Sequence, residues 1–142
     1  MEGHRVYVDT NIFVYFLDKS PEFFPVVGPV IERIASGGIV GVAGIAVMAE
    51  VLVKPYRTGD LFLVASIKSF FSQEGFLSIA HHDRETFDLA AQLRATKGLG
   101  FADALHVATA IRNGCRFFLT NDTRIVSSDL LMILRISELI GE

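Results

Sequence analysis

Four acidic residues stand where a folded chain has little use for a charge. Asp9 follows Val6-Tyr7-Val8 and precedes Thr10-Asn11-Ile12, at a strand-to-helix turn. Glu50 interrupts the apolar run AVMAEVLV, Asp103 lies among small and apolar neighbours in FADALHVATAI, and Asp122 follows FFLT. Most of the 16 acids sit instead in polar stretches that face water. Burying one carboxylate is costly, and several together repel one another. Four such acids need a compensating cation or hydrogen-bond donors, and a divalent ion bound through oxygen does this directly. The chemistry these residues point to is therefore a metal site built from Asp9, Glu50, Asp103 and Asp122.

Each acid alone has a simpler use. Asp9 and Asp122 can cap the helices that follow them, and Asp103 can sit in the first turn of its helix. Glu50 can pair with Lys54 at i+4. It is their convergence that argues for a site, and convergence depends on the elements that carry them.

The first strand is expected over Arg5–Asp9. Thr10 or Asn11 opens a helix that Ser20-Pro21 ends, and a second runs from about Pro25 or Pro29 to Ala35, stopped by Gly37-Gly38. Ile39–Ala43 reads as a buried strand. GIAVMAEVLV has helical length, and Pro55 is expected to close it. After the turn Arg57-Thr58-Gly59-Asp60, LFLVASIKSFFSQ is helical up to Gly75, and Phe76–Ala80 is a strand. Asp83 caps the helix RETFDLAAQLRATK, with Gly98 as its stop. FADALHVATAIRN forms a helix ending at Gly114, followed by a strand over Arg116–Thr120. Asn121-Asp122 is expected to cap a short turn of helix, Leu131–Ile136 to be the last strand, and Ser137 to cap a terminal SELIG turn.

Strands alternating with helices predict an α/β fold with a mainly parallel sheet and helices on both faces. Ligands in such folds bind outside the carboxyl ends of the strands. Asp9 and Asp122 fall there directly, and Asp103 reaches the same edge if its helix starts there. Glu50, about two turns into its helix, is placed least firmly by this reasoning.

The chain's 142 residues fit one domain, residues 1–142, long enough to bury roughly two-thirds of its unfolded surface. The single Cys115 excludes an internal disulfide and a Cys-rich zinc pattern, as suits a reducing cytoplasmic setting. The longest apolar stretch, Ile39 to Val53, is broken by Gly41, Gly44 and Glu50, so no membrane span is expected. A net charge of −3 lacks the basic excess usual in nucleic-acid binders. Lys54, Arg57, Arg94 and Lys97 are candidates for a local basic rim, and Arg124, two residues beyond Asp122, could hold a phosphate. The positive mean hydropathy suggests an apolar interface with a second copy or a partner. His106, three residues after Asp103, is read as a partly buried structural histidine that could also orient Asp103, and His81-His82 as a loop pair. Phe13, Tyr15, Phe16, Phe23 and Phe24 are read as core or interface.

Other α/β readings fit poorly. A haloacid-dehalogenase-like phosphatase needs a second Asp two positions after the first, where Asn11 stands. A receiver domain needs a late Lys, and none follows Lys97. A dinucleotide site needs a Gly-rich turn after the first strand, which DTNIF lacks.

VDTNIFVYFLD, AVMAEVLVKPYRTGD, GFADALHVATA and FLTNDTRI, in this order and spacing, resemble the four signature segments of PIN-domain ribonucleases, particularly VapC-type toxins of prokaryotic toxin–antitoxin pairs. The resemblance spans Val6 to about Ser137. It implies a three-layer α/β/α sandwich, a Mg²⁺ or Mn²⁺ site on Asp9, Glu50, Asp103 and Asp122, and endoribonuclease activity. It further implies supporting roles for Thr10 (or Asn11), Thr120 and Asn121, a cognate antitoxin, and a homodimer. Substrate contacts would fall to Arg124, Lys54 and Arg57. Glu50 is left as either a ligand or the base that holds the attacking water. The rival expectation is a non-catalytic PIN-type module that binds RNA or a protein.

Overall fold

The computed structural model describes residues 1–128 and 130–139. Its elements run β1 (Arg5–Val8), α1 (Thr10–Leu17), α2 (Phe24–Ala35), β2 (Val40–Gly44), α3 (Ala46–Val51), α4 (Val53–Thr58) and α5 (Leu61–Phe71). They continue with β3 (Ser78–Ala80), α6 (Arg84–Lys97), α7 (Phe101–Arg112), β4 (Phe117–Thr120) and β5 (Met132–Arg135), then a 3₁₀ turn over Ile136–Glu138. The strands form one sheet in the order β3-β2-β1-β4-β5, and all the pairings are parallel.

Side chains alternate across the pleat, so each strand feeds two cores. Val6, Val8, Ala43 and Leu119 face a large cluster made with Ile12 and Phe13 of α1, Ile31 of α2, and Val64, Ile67 and Phe71 of α5. Tyr7, Val42, Phe118 and Ile133 face the other way, against Val107 and Ala110 of α7. Helix α6 then lies on α7 through Ala90, Ala104, Leu105 and Ala108. The result is the expected α/β/α sandwich around a parallel sheet. Phe13 is fully buried. Tyr15, Phe16 and Phe23 pack against the same core, and Phe24 stacks on Phe16.

Three local expectations need correction. Pro55 does not close a helix: the chain kinks at Leu52, and Pro55 sits in the first turn of α4, where its missing N–H has no intrahelical partner to lose. Helix α4 stops instead at Gly59, whose φ of 73° places it in the left-handed region that glycine adopts freely, and Asp60 caps α5. Asn121-Asp122 opens no helix; the Arg124 N–H donates to Asp122 Oδ1 at 2.9 Å, closing a local turn instead. Ser137 lies inside the 3₁₀ turn rather than capping it, and the end of the SELIG segment falls outside the described residues. Among the described residues no helix is long and apolar enough to cross a membrane.

Candidate metal centre at the carboxyl edge of the sheet

The chain runs from β1 outward through β2 to β3, then returns to lay β4 and β5 on the other side of β1. The crevice between β1 and β4 is thus the point where the winding reverses, the usual ligand position in an open parallel sheet. Asp9 leaves β1 there, and Asp122 follows two residues after β4. Asp103 occupies the first turn of α7, and Glu50 lies near the end of α3.

Asp9 is the best-anchored acid. Its Oδ1 accepts from the Thr10 N–H at 2.8 Å and its Oδ2 from the Thr120 hydroxyl at 2.7 Å. It is only 6% exposed, and burial raises its pKa against the lowering effects of His106, Thr120 and Thr10. Thr120 Oγ1 also accepts from Asn11 Nδ2 at 3.3 Å and from the Asp122 N–H at 3.0 Å, so one hydroxyl ties both strand ends together. Asn11 Oδ1 accepts from the Asn121 N–H at 3.2 Å, and Asn121 Oδ1 accepts from the Ser137 N–H at 3.2 Å. Thr10, Asn11, Thr120 and Asn121 therefore form the hydrogen-bonded frame of the acids.

Glu50 is held through one oxygen. Its Oε1 accepts from the Thr10 hydroxyl at 2.9 Å and is bonded to Nε2 of His106. Burial works to raise the Glu50 pKa, but the His106 bond and charge, together with Thr10, bring it below the ordinary value. His106 is buried and contacts Glu50, not Asp103; it joins two elements rather than orienting the acid on its own helix. Burial favours the neutral His106 ring, while the Glu50 bond and the fields of Asp9, Glu50 and Asp103 shift its pKa upward on balance.

Asp103 and Asp122 share a cation from the chain itself. Arg124 donates to both oxygens of Asp122, with Nη2 at 2.5 Å from Oδ2, and the same nitrogen lies 3.3 Å from Asp103 Oδ2. This holds the Asp122 carboxyl below its usual range. Asp103 stays raised, first by burial and then by the charge of Asp122, because its contact with Arg124 is longer. The Arg124 side chain is 72% exposed, so it can swing away without disturbing the core.

Among the described residues no group of three or more His, Cys, Asp or Glu side chains stands arranged around a metal position. The donor chemistry nonetheless fits a hard divalent ion. Asp9 and Asp103 are raised in part by neighbouring carboxylates, and a guanidinium already lodges between Asp103 and Asp122.

The basic candidates divide. Lys54 lines a cleft of about 260 Å³ that also includes Glu50, Val14 and Pro55. Arg57 and Lys97 are exposed, and Arg94 lies 5.7 Å from the Phe101 ring. His82 is more than a loop residue: its Nε2 accepts from the Ala46 N–H at 3.1 Å, pinning the start of α3. Sequence reasoning missed Tyr7, whose hydroxyl lies 2.6 Å from His106 Nδ1. Its only signal is a phenol among valines in a buried strand, since a buried O–H needs a partner.

A family model described as PIN domain matches residues 6–129. The fold is similar to the VapBC2 structure from Rickettsia felis bound to a DNA fragment from their promoter, with a TM-score of 0.71 and 22% identity, covering 92% of this chain and 98% of that one. It is also similar to DNA-bound VapBC from Salmonella typhimurium, with a TM-score of 0.68 and 16% identity over 94% and 98% of the two chains. A third similar structure is VapC20 of Mycobacterium tuberculosis, described as a Sarcin-Ricin loop cleaving toxin, with a TM-score of 0.65 and 13% identity over 88% and 92%. No curated protein matches the sequence. With a family model covering most of its length and a matching sheet and sandwich, the chain belongs to the PIN domain family.

Proposed function

We propose that the protein is a divalent-metal-dependent endoribonuclease, the toxin of a VapBC-type toxin–antitoxin pair. This reading is supported by a PIN fold that sets Asp9 and Asp122 beside its β1–β4 crevice, with Asp103 linked to Asp122 through Arg124 and Glu50 linked to the Asp9 side through Thr10. Asp9, Asp103 and Asp122 would hold a Mg²⁺ or Mn²⁺ ion, with Glu50 at its side. When bound, such an ion relieves charge on the phosphoryl oxygens and acidifies water.

The chain's own groups do the rest. Glu50 Oε1 is taken by Thr10 and His106, while Oε2 has no hydrogen-bond partner among the described residues. That free oxygen accepts a proton from the attacking water. Water oxygen then adds to phosphorus as the ester P–O bond breaks, and the departing oxygen takes a proton from solvent. Arg124, displaced from Asp103 and Asp122, contacts a phosphate, and Lys54 extends the positive rim beside Glu50. These local cations offset the net charge of −3.

An antitoxin partner is supported by the VapBC complexes among the similar structures. A homodimer is supported by exposed apolar side chains such as Phe62 and Leu61. The test is cleavage of an end-labelled RNA panel with Mg²⁺ or Mn²⁺, with EDTA, and by Asp9→Asn. Equal cleavage by wild type and the Asn variant sinks the metal-site reading. Binding of RNA without cleavage by the wild type would favour the non-catalytic alternative, which the pairing of Asp103 and Asp122 with Arg124 also suits.

A further inference from the structure

Helix α3 is short and its N-cap residue, Ile45, provides no side-chain cap, yet it carries Glu50. Two imidazoles hold it, and the hydrogen bonds around them leave little choice of proton position. Tyr7 projects from β1 toward α7, fully buried, with its ring stacked 5.1 Å from that of Phe118. Its oxygen accepts from the Gly44 N–H at 3.0 Å. Its one hydrogen is thus free to go to Nδ1 of His106, 2.6 Å away. A neutral ring that accepts at Nδ1 carries its proton at Nε2, the atom bonded to Glu50 Oε1.

The neighbouring histidine has the opposite assignment. His82 Nε2 accepts from the Ala46 N–H, so its Nδ1–H donates to Thr109 Oγ1 at 3.0 Å. Thr109 in turn donates to the Leu105 carbonyl at 2.7 Å. Among the described residues no buried side-chain nitrogen or oxygen lacks a hydrogen-bond partner. Gly44 belongs to the arrangement as well. A Cβ there would stand 2.8 Å from the Tyr7 oxygen and 2.7 Å from His82 Cε1.

We infer that Tyr7 is a positioning residue for Glu50, acting by fixing the Nε2–H tautomer and the ring orientation of His106. This rests, for its kinetic part, on the nuclease reading. The proton chain runs in one direction, Gly44 N–H to Tyr7, Tyr7 O–H to His106, His106 N–H to Glu50. It leaves Glu50 Oε2 aimed by a bond to the buried core rather than by the exposed surface around it.

The experiment is long-range ¹⁵N–¹H NMR of the His106 ring in the full chain, followed through a pH titration so that the neutral form is the one read, paired with RNA cleavage kinetics. Expected is protonation at Nε2 alone, with the Nδ1 signal moving toward that of an unbonded ring nitrogen in Tyr7→Phe. A wild-type ring protonated at Nδ1, or an Nδ1 signal unmoved in folded Tyr7→Phe, overturns the inference. In kinetics, Tyr7→Phe should lower kcat by about 10–100-fold with KM little changed, as loss of an orienting outer partner does. His106→Gln, whose amide nitrogen stands near the Nε2 position, should retain more kcat than His106→Ala. Equal loss in those two variants counts against the inference even if Tyr7→Phe fails to fold. If the wild type cuts no RNA, the nuclease reading fails, while the NMR result still decides the tautomer.

Discussion

The two flanks of the acidic crevice solve the same electrostatic problem with opposite means. On the α3 flank, Glu50 is tied to a buried imidazole, which is tied in turn to a buried phenol and a strand N–H. On the α7 flank, Asp103 and Asp122 are bridged by a guanidinium that is mostly in water. Low dielectric and fixed partners make the first arrangement rigid, whereas solvent screening and side-chain freedom leave the second easily exchanged. On the proposed metal-site reading, this asymmetry keeps one group aimed while leaving room for a cation: the fixed flank would aim an oxygen, and the loose flank would yield its place.

Substitutions at the crevice can break or sharpen that contrast. The largest effect is expected at Asp9, which belongs to both flanks through Thr10 and Thr120. Asp9→Asn should lower RNA cleavage by more than about a hundredfold, beyond what loss of an outer partner costs, while a folded spectrum and melting midpoint are retained. On the fixed flank, Gly44→Ala should destabilise the protein by about 1–3 kcal/mol, because its Cβ meets packed groups rather than a flexible chain end. Denaturant titration checks this, and an unchanged midpoint would mean that the packing of Tyr7 and His82 against Gly44 is soft. On the loose flank, Arg124→Ala should leave the melting midpoint unmoved but tighten Mn²⁺ binding several-fold by calorimetry. Weaker Mn²⁺ binding in that variant would make the guanidinium part of the site's support instead of its placeholder. Smallest should be Lys54→Ala, raising KM for RNA a few-fold at constant kcat, as expected for uniform binding at the rim.

How much of this was legible beforehand tracks the range of the interactions. Asp9 and Asp122 follow from apolar strands ending in an acid, and Asp103 from its place in a helix's first turn, all local patterns. The parallel sheet follows from alternation of strand and helix. Glu50 was placed by family resemblance, since nothing local says that α3 begins at Ala46 and kinks at Leu52. Its anchor is His82, 36 residues away from Ala46. The sequence reads His106 as a partly buried structural histidine and does not reveal its link to Glu50, because its partners Tyr7 and Glu50 lie 99 and 56 residues off. Pro55 misled because proline both ends helices and fits their first turn. Asp122 misled in the same way, an Asx turn and a helix cap beginning with the same residue type.

The order of the sheet also sets a timetable for synthesis. Strands β1, β2 and β3 can assemble as soon as they have left the ribosome, but the side of β1 that pairs with β4 stays open until Phe117–Thr120 arrives. Until then the nascent chain carries an unpaired strand edge at its centre, a point of vulnerability to misassociation. It also lacks Asp122 and the Thr120 hydroxyl that clamps Asp9. A chain shortened before β4 would therefore have three of the four acids and no Thr120 to clamp Asp9, so the crevice is complete only when the last quarter of the chain has been made.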